Sequence, residues 1–331
     1  MTAIGWVESV VSPADVVRRR LLRALGPVAG RLAADREARV AVSGSLLMLS
    51  AFALALALPL WVLALGPVVL GVPHLLADVR YLWVRPGLHR RPAAWLAIGG
   101  PLLAGAATGR LATGLVAACG AVLIARASIA RRAIGVGVVA GLAVLAELAG
   151  SIADVVFAHA HNVIAVGLWW AWRPRSRGLH LAPIVLFIGL AALILFGVGD
   201  ALPMASFGPS VRYHASALAP GLDATTATRL VVCFCFAQSV HYGVWLRLVP
   251  EEDRDRETPR TFAASARAIV AEMGLVPVLV TAALSLGLVA WALFDLGDAR
   301  AGYLRFAVFH GQLELAAVAL LAVQGSLGER R

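Results

Sequence analysis

A recurring length constrains this chain more than any motif. Between residues 40 and 323 the sequence is a succession of apolar runs broken by arginine, glycine or proline. Many of them reach the roughly 17 to 25 residues that an α-helix needs to cross about 30 Å of hydrocarbon at 1.5 Å per residue. Period-2 alternation, the mark of a membrane barrel strand, is missing. Lipid offers no partner to a backbone N–H or C=O, so runs of this kind must satisfy themselves as helices. Composition agrees, with 60% hydrophobic residues, 15% charged residues and a mean hydropathy of +0.83. The expected fold class is all-α, a polytopic membrane helix bundle.

About ten spans are expected, near 40–60, 62–84, 94–109, 111–126, 133–149, 152–172, 181–198, 228–248, 268–294 and 303–323. The third and fourth, divided by TGRLATG, are short enough to form one re-entrant hairpin, so the range is eight to ten. All 29 basic residues are arginine and the formal charge is +10. Arginine excess marks cytoplasmic loops. With both termini cytoplasmic, only Arg110, Arg212, Arg229, Arg300 and Arg305 fall on the outer side. No basic block is interleaved with aromatics as a single-strand binder requires, so no nucleic-acid partner is expected.

Residues 1–38 read as an Arg-rich interfacial or cytoplasmic segment, 39–325 as one transmembrane bundle and 326–331 as a cytoplasmic tail. No secretory signal peptide is expected to be removed. The outer connection 199–230, rich in Gly, Pro, Ser and Thr, is expected to cap the outer face as an ordered loop. The inner run VPEEDRDRETPR, residues 249–260, reads as a solvated charge run. Cys119, Cys233 and Cys235 lie scattered in apolar segments, which suits packing rather than a disulfide framework.

Eight histidines then divide into two groups. His89, His180 and His214 fall in loops or at span ends, where interfacial solvation is expected. His74, His159, His161, His241 and His310 fall inside spans. Counting at 1.5 Å per residue to the cytoplasmic end of each helix puts His74, His161, His241 and His310 at depths of roughly 14 to 21 Å, one layer near the midplane. Polar companions follow at helical spacing: Asp78 four after His74, Glu314 four after His310, Asp154 seven before His161 and Gln238 three before His241. His159 and His161 are about 200° apart around a helix, so one of the two is expected to face the layer.

Ionisable residues are costly in a membrane, and one histidine alone more often glues helices than binds a ligand. Five at one depth with carboxylates beside them point to a shared metal site. Candidate ligands are His74, His159, His161, His241 and His310, with Asp78, Asp154 and Glu314 orienting the rings from behind. A thiolate-free imidazole site suits Fe(II), Zn(II) or another divalent metal, and oxygen chemistry favours iron. Trp170, Phe236 and Tyr242 are candidates to line an apolar slot. There is no H-E-x-x-H pair, no G-x-S-x-G elbow and no phosphate-binding glycine loop. The opposing reading is a transporter or a proton or metal-ion pathway built on the same midplane His, Asp and Glu residues.

These motifs resemble the bacterial Brp/Blh family of membrane β-carotene 15,15'-dioxygenases. GVPHLLAD at 71–78 is similar to that family's Gly-x-Pro-His element with an aspartate four residues on, which implies a ligand role for His74. VCFCFAQSVHYGVW at 232–245 resembles its late aromatic helix ending in histidine, and FHGQLEL its terminal histidine-plus-acid element, implying His241 and His310 with Glu314. FAHAHNVIAV corresponds loosely to the second histidine element and leaves His159 and His161 both open. Leu75 replaces the glycine after the first histidine, and Gln238 stands where a further histidine is expected. The resemblance implies an Fe(II)-dependent dioxygenase in a bacterial inner membrane, using O2 to cleave a carotenoid-like lipophilic substrate, in the family's case β-carotene to retinal.

Overall fold

A computed structural model describes residues 3–175, 177–202 and 210–327. Helices α1 (Ala3–Ala24) and α2 (Pro27–Ala34) precede the apolar part. There follow α3 (Arg36–Ala57), α4 (Pro59–Val84), α5 (Pro92–Thr108), α6 (Leu111–Leu123), α7 (Ile129–Ala149), α8 (Ser151–Ala171) and α9 (Gly178–Leu195). The rest are α10 (Val211–Leu218), α11 (Ala224–Glu252), α12 (Phe262–Met273), α13 (Leu275–Phe294) and α14 (Leu296–Gln324). No strand occurs among the described residues. Eight of these helices, α3, α4, α7, α8, α9, α11, α13 and α14, are long and apolar enough to cross a membrane.

The expected third and fourth spans are instead two short helices. Residues α5 and α6 contribute pack against each other closely enough that a Cβ on Gly120 would meet the Ala97 carbonyl carbon at 2.6 Å. Only glycine allows that approach. Helix starts follow local chemistry: Asp35, Ser128, Ser210, Asp223, Thr261 and Asp295 each accept a hydrogen bond from a first-turn N–H, meeting the orphan donors of a helix start.

Helices α11 and α14 form the centre, with 67% and 61% of their apolar windows buried, whereas α7 and α13 are 6% buried and sit at the periphery. Helix α14 packs along α4, α5 and α6, and α11 along α3, α4, α8 and α9. Gln238 and His241 on α11 and Gln312 and Glu314 on α14 are therefore buried among other helices. Three stretches widen to π-helix, Val79–Val84, Trp95–Gly99 and Val244–Leu248. The first and last begin just after Asp78 and His241, in keeping with the tendency of π-turns to lie at functional positions.

The run 249–260 is solvated only over its second half, where residues 255–258 and Arg260 are exposed; its first half departs from that expectation. Glu251, Glu252 and Arg254 are buried. Glu251 accepts from Arg39 Nε at 2.9 Å and Nη2 at 2.6 Å and from Arg247 at 2.7 Å, and pairs with Arg254. Glu252 pairs with Arg175 at 2.9 Å, Asp253 with Arg85 at 2.5 Å, and Glu272 with Arg80 at 2.8 Å. Helices α1 and α12 pack on each other, with Asp15 accepting from Phe262 N and Ala263 N. The first half of the charge run, Glu251 to Arg254, is thus an ion-pair hub that ties α3, α4, α8, α11 and α12 together at the arginine-rich end.

At the opposite end, α10 packs on α11 and α8. The outer connection is therefore ordered over 211–218, while 203–209 lie outside the described residues, as do 328–331 of the expected tail.

Candidate metal centre

Each helix delivers its histidine by a different local device. In α4, Pro67 and Pro73 interrupt the hydrogen-bond ladder above His74, and Gly71 leaves room for a neighbour's ring. His74 and Asp78 share a face one turn apart, both fully buried, with Asp78 Oδ2 3.8 Å from His74 Nε2. His241 comes from the buried centre of α11, His310 from α14 and His161 from α8.

The four rings converge. Ring centroids lie 4.7 Å apart for His74 and His310, 5.3 Å for His74 and His241, and 5.5 Å for His241 and His310. His161 adds 5.1 Å to His241 and 5.4 Å to His310. One ligand atom from each of His74, Asp78, His241 and His310 falls within 4.8 Å of the others, a spacing at which the buried group can hold a metal ion.

Surrounding groups fix these rings. His310 Nδ1 donates to the Ala307 carbonyl; a carbonyl only accepts, so Nδ1 carries the proton and Nε2 keeps its lone pair. Glu314 Oε1 lies 3.6 Å from His241 Nε2 and accepts from Trp245 Nε1 at 2.6 Å. Tyr303 Oη is 3.4 Å from His74 Nδ1, and the Tyr242 ring centroid is 4.7 Å from that of His74. Gly71 makes the tyrosine contact possible, because a Cβ there would lie 2.5 Å from Tyr303 Cζ.

Several polar atoms of the cluster are left without a hydrogen-bond partner although fully shielded: His74 Nε2, His241 Nδ1 and Nε2, both oxygens of Asp78, and Glu314 Oε2. Buried polar atoms are paired in native proteins with few exceptions. A cluster of orphans on imidazole and carboxylate, with no thiolate among them, is the donor set of a divalent metal.

Other expected site residues fall elsewhere. Of the pair left open, His161 is the one whose ring lies beside those of His241 and His310. His159 turns away, its Nε2 donating to the Leu218 carbonyl at 2.8 Å and its ring 5.2 Å from Phe234. Asp154 is a correction: it sits near the start of α8, two turns from His161, and its Oδ1 accepts from Leu111 N at 3.2 Å as a cap for α6. Glu314 serves His241 rather than His310, in the place anticipated for Gln238. Trp170 lies at a tilt against His180, and Phe236 packs on Phe187 and Phe52, leaving only Tyr242 of the three slot candidates beside the cluster. His214, expected to be solvated, is buried. Two neighbours escaped notice, Trp245 and Tyr303. Both carry a sequence signal, since Trp245 follows His241 by four and Tyr303 precedes His310 by seven, the same helix face in each case.

Charge at the arginine-rich end is set by the same packing. Burial pushes the Asp253 carboxyl up, opposed by Arg85 and by the hydrogen bond from Trp172. The more exposed Asp35 is held down at about 2 by its bond to Arg177 and the α3 cap. Comparison with protein-family models, curated proteins and solved structures finds no match to this chain.

Proposed function

We propose that this chain is an intramembrane non-haem iron oxygenase that acts on a lipophilic substrate. The observation that carries the reading is the convergence of four imidazole rings from four helices, five of the six pairs at 4.7 to 5.5 Å, with shielded nitrogens on His74 and His241 that have no hydrogen-bond partner. His74, His161, His241 and His310 would hold the ion. An iron ion there would supply the redox couple through which O2 can be used on an otherwise inert hydrocarbon.

The remaining residues act through these four. Asp78 and Glu314 set ring orientation and basicity, as carboxylates behind metal-bound imidazoles do. Trp245 holds Glu314 in place, and Tyr303 packs between Gly71 and His74. The apolar wall of the bundle keeps water from the rings and admits a substrate dissolved in the bilayer. The arginine-rich end faces the cytoplasm, with both termini on that side, in a bacterial inner membrane.

The resemblance of the GVPHLLAD, VCFCFAQSVHYGVW and FHGQLEL elements to the carotenoid-cleaving family supports a carotenoid-like polyene as the substrate and central cleavage of β-carotene to retinal as the reaction. Expression in a β-carotene-accumulating bacterium, followed by retinoid extraction, tests this. Retinal is expected from the wild type and not from His241→Ala. Folded, iron-loaded protein that yields no retinal would refute carotene cleavage.

A further inference from the structure

Arg300 lies one turn into α14, at the end of the bundle opposite the arginine-rich hub, and is 7% exposed. Its Nε donates to the Leu63 carbonyl at 2.8 Å. That carbonyl is free because Pro67, four residues on, has no N–H to give it. The bond uses one of the five N–H donors of the guanidinium. No carboxylate pairs with Arg300 among the described residues, and the sequence that precedes α10, PMASFGP at 203–209, contains no acidic residue.

The groups within reach of its charge are Tyr213, Tyr242 and His214. His214, on the capping helix α10, is 1% exposed, and its Nε2 has no hydrogen-bond partner. Burial and the charge of Arg300 push this histidine down to about 4, so it is neutral at pH 7 and Nε2 can present an N–H. A cation only 7% exposed that has no counter-charge and a shielded ring nitrogen without a partner are both costly. One anion seated between them would relieve both.

We propose that Arg300 and His214 form an anion site beneath the α10 cap that takes an oxyanion, a carboxylate or phosphate, supplied by the head group of a lipid-soluble molecule or as a free ion. The site stands apart from the metal reading: ten residues, about 15 Å along α14, separate Arg300 from His310. Tyr303, three residues after Arg300, bonds to Tyr242 and reaches His74, so the anion would sit at the head of a polar file that ends on the histidine cluster.

Titration calorimetry on the purified full chain in neutral detergent, as isolated and after chelation, tests the site with sodium oleate, methyl oleate and inorganic phosphate. Oleate or phosphate is expected to bind at about one per chain, equally before and after chelation, and methyl oleate to fail as a competitor. Loss of a buried charge-assisted contact is expected to weaken binding about tenfold or more in Arg300→Gln, with smaller losses in Arg300→Lys and His214→Gln. Oleate binding with phosphate silent assigns a lipid head group; phosphate binding assigns a free ion. Should Arg300→Gln fail to fold, the other two variants carry the comparison. Equal binding of oleate and methyl oleate, absence of binding by either anion, or affinity unchanged in both Arg300→Lys and His214→Gln would overturn the proposal.

Discussion

Replacing Gly71 by alanine puts a methyl group where Tyr303 now lies. The new Cβ would stand 2.5 Å from Tyr303 Cζ, 2.6 Å from Cε2 and 2.9 Å from the hydroxyl, against 3.4–4 Å for ordinary contact. The ring must therefore retreat by about 1 Å, in an interior packed as tightly as an organic crystal. Alanine gains about 1 kcal/mol of helix propensity over glycine, and overpacking costs about 1–3 kcal/mol. Because Tyr303 is 5% exposed and has little room to yield, overpacking should win, for a net loss of up to about 2 kcal/mol. The displaced hydroxyl also leaves His74 Nδ1, so metal should be lost to a chelator faster. Thermal unfolding in detergent and chelator-release kinetics read the two effects. In a Tyr303→Leu background, Gly71→Ala should cost nothing further, because the clashing ring is gone. Tyr303→Phe should not relieve it, since the two closest atoms are ring carbons. A Gly71→Ala chain as stable as wild type, or relief by Tyr303→Phe equal to that by Tyr303→Leu, would refute the reasoning.

Further outcomes follow from other contacts. Glu251→Ala would strand Arg39 and Arg254 in a buried hub and should destabilise by about 3–5 kcal/mol, seen as a large fall in unfolding temperature; a change within error would contradict the hub. Asp35, whose carboxyl the Arg177 guanidinium holds down at about 2, below the ordinary carboxylate range, contributes stability that is present above about pH 4 and lost as pH falls through about 2. The acid limb of the stability profile between those values should be shallower in Asp35→Asn than in wild type, and an unchanged limb would remove the Arg177 pair from the account. Asp154→Ala should weaken the start of α6 by about 1 kcal/mol and leave metal content unchanged, as metal analysis of the variant would show.

What was legible in the sequence follows from what a single helix encodes. Run length gives the long helices, and residue counting at 1.5 Å per residue gives the shared depth of His74, His161, His241 and His310. Their pairing with Asp78 is also local, because residues four apart share a face. The misassignments come from contacts between helices. Glu314 is one turn from His310, yet the packing of α14 on its neighbours turns it to His241 and Trp245. The His159 and His161 choice depends on which side of α8 meets the bundle, a rotation that two nearly opposite polar residues leave undetermined. The charge run at 249–260 has soluble composition, and the burial of its first half depends on Arg39, Arg85 and Arg175, all distant in sequence. His214 looked solvated because nothing local reports that α10 folds down onto α8 and α11.

Metal analysis of purified protein bears most directly on the central claim, with His74→Ala, His161→Ala, His241→Ala and His310→Ala set beside His159→Ala. Wild type and His159→Ala are expected to carry about one metal ion per chain, iron when expressed with adequate supply, and the four cluster variants to lose most of it, since orphaned buried ligands otherwise have no partner. Absence of stoichiometric metal in folded wild type, or metal content that survives removal of the cluster histidines while falling with His159, would contradict the assignment.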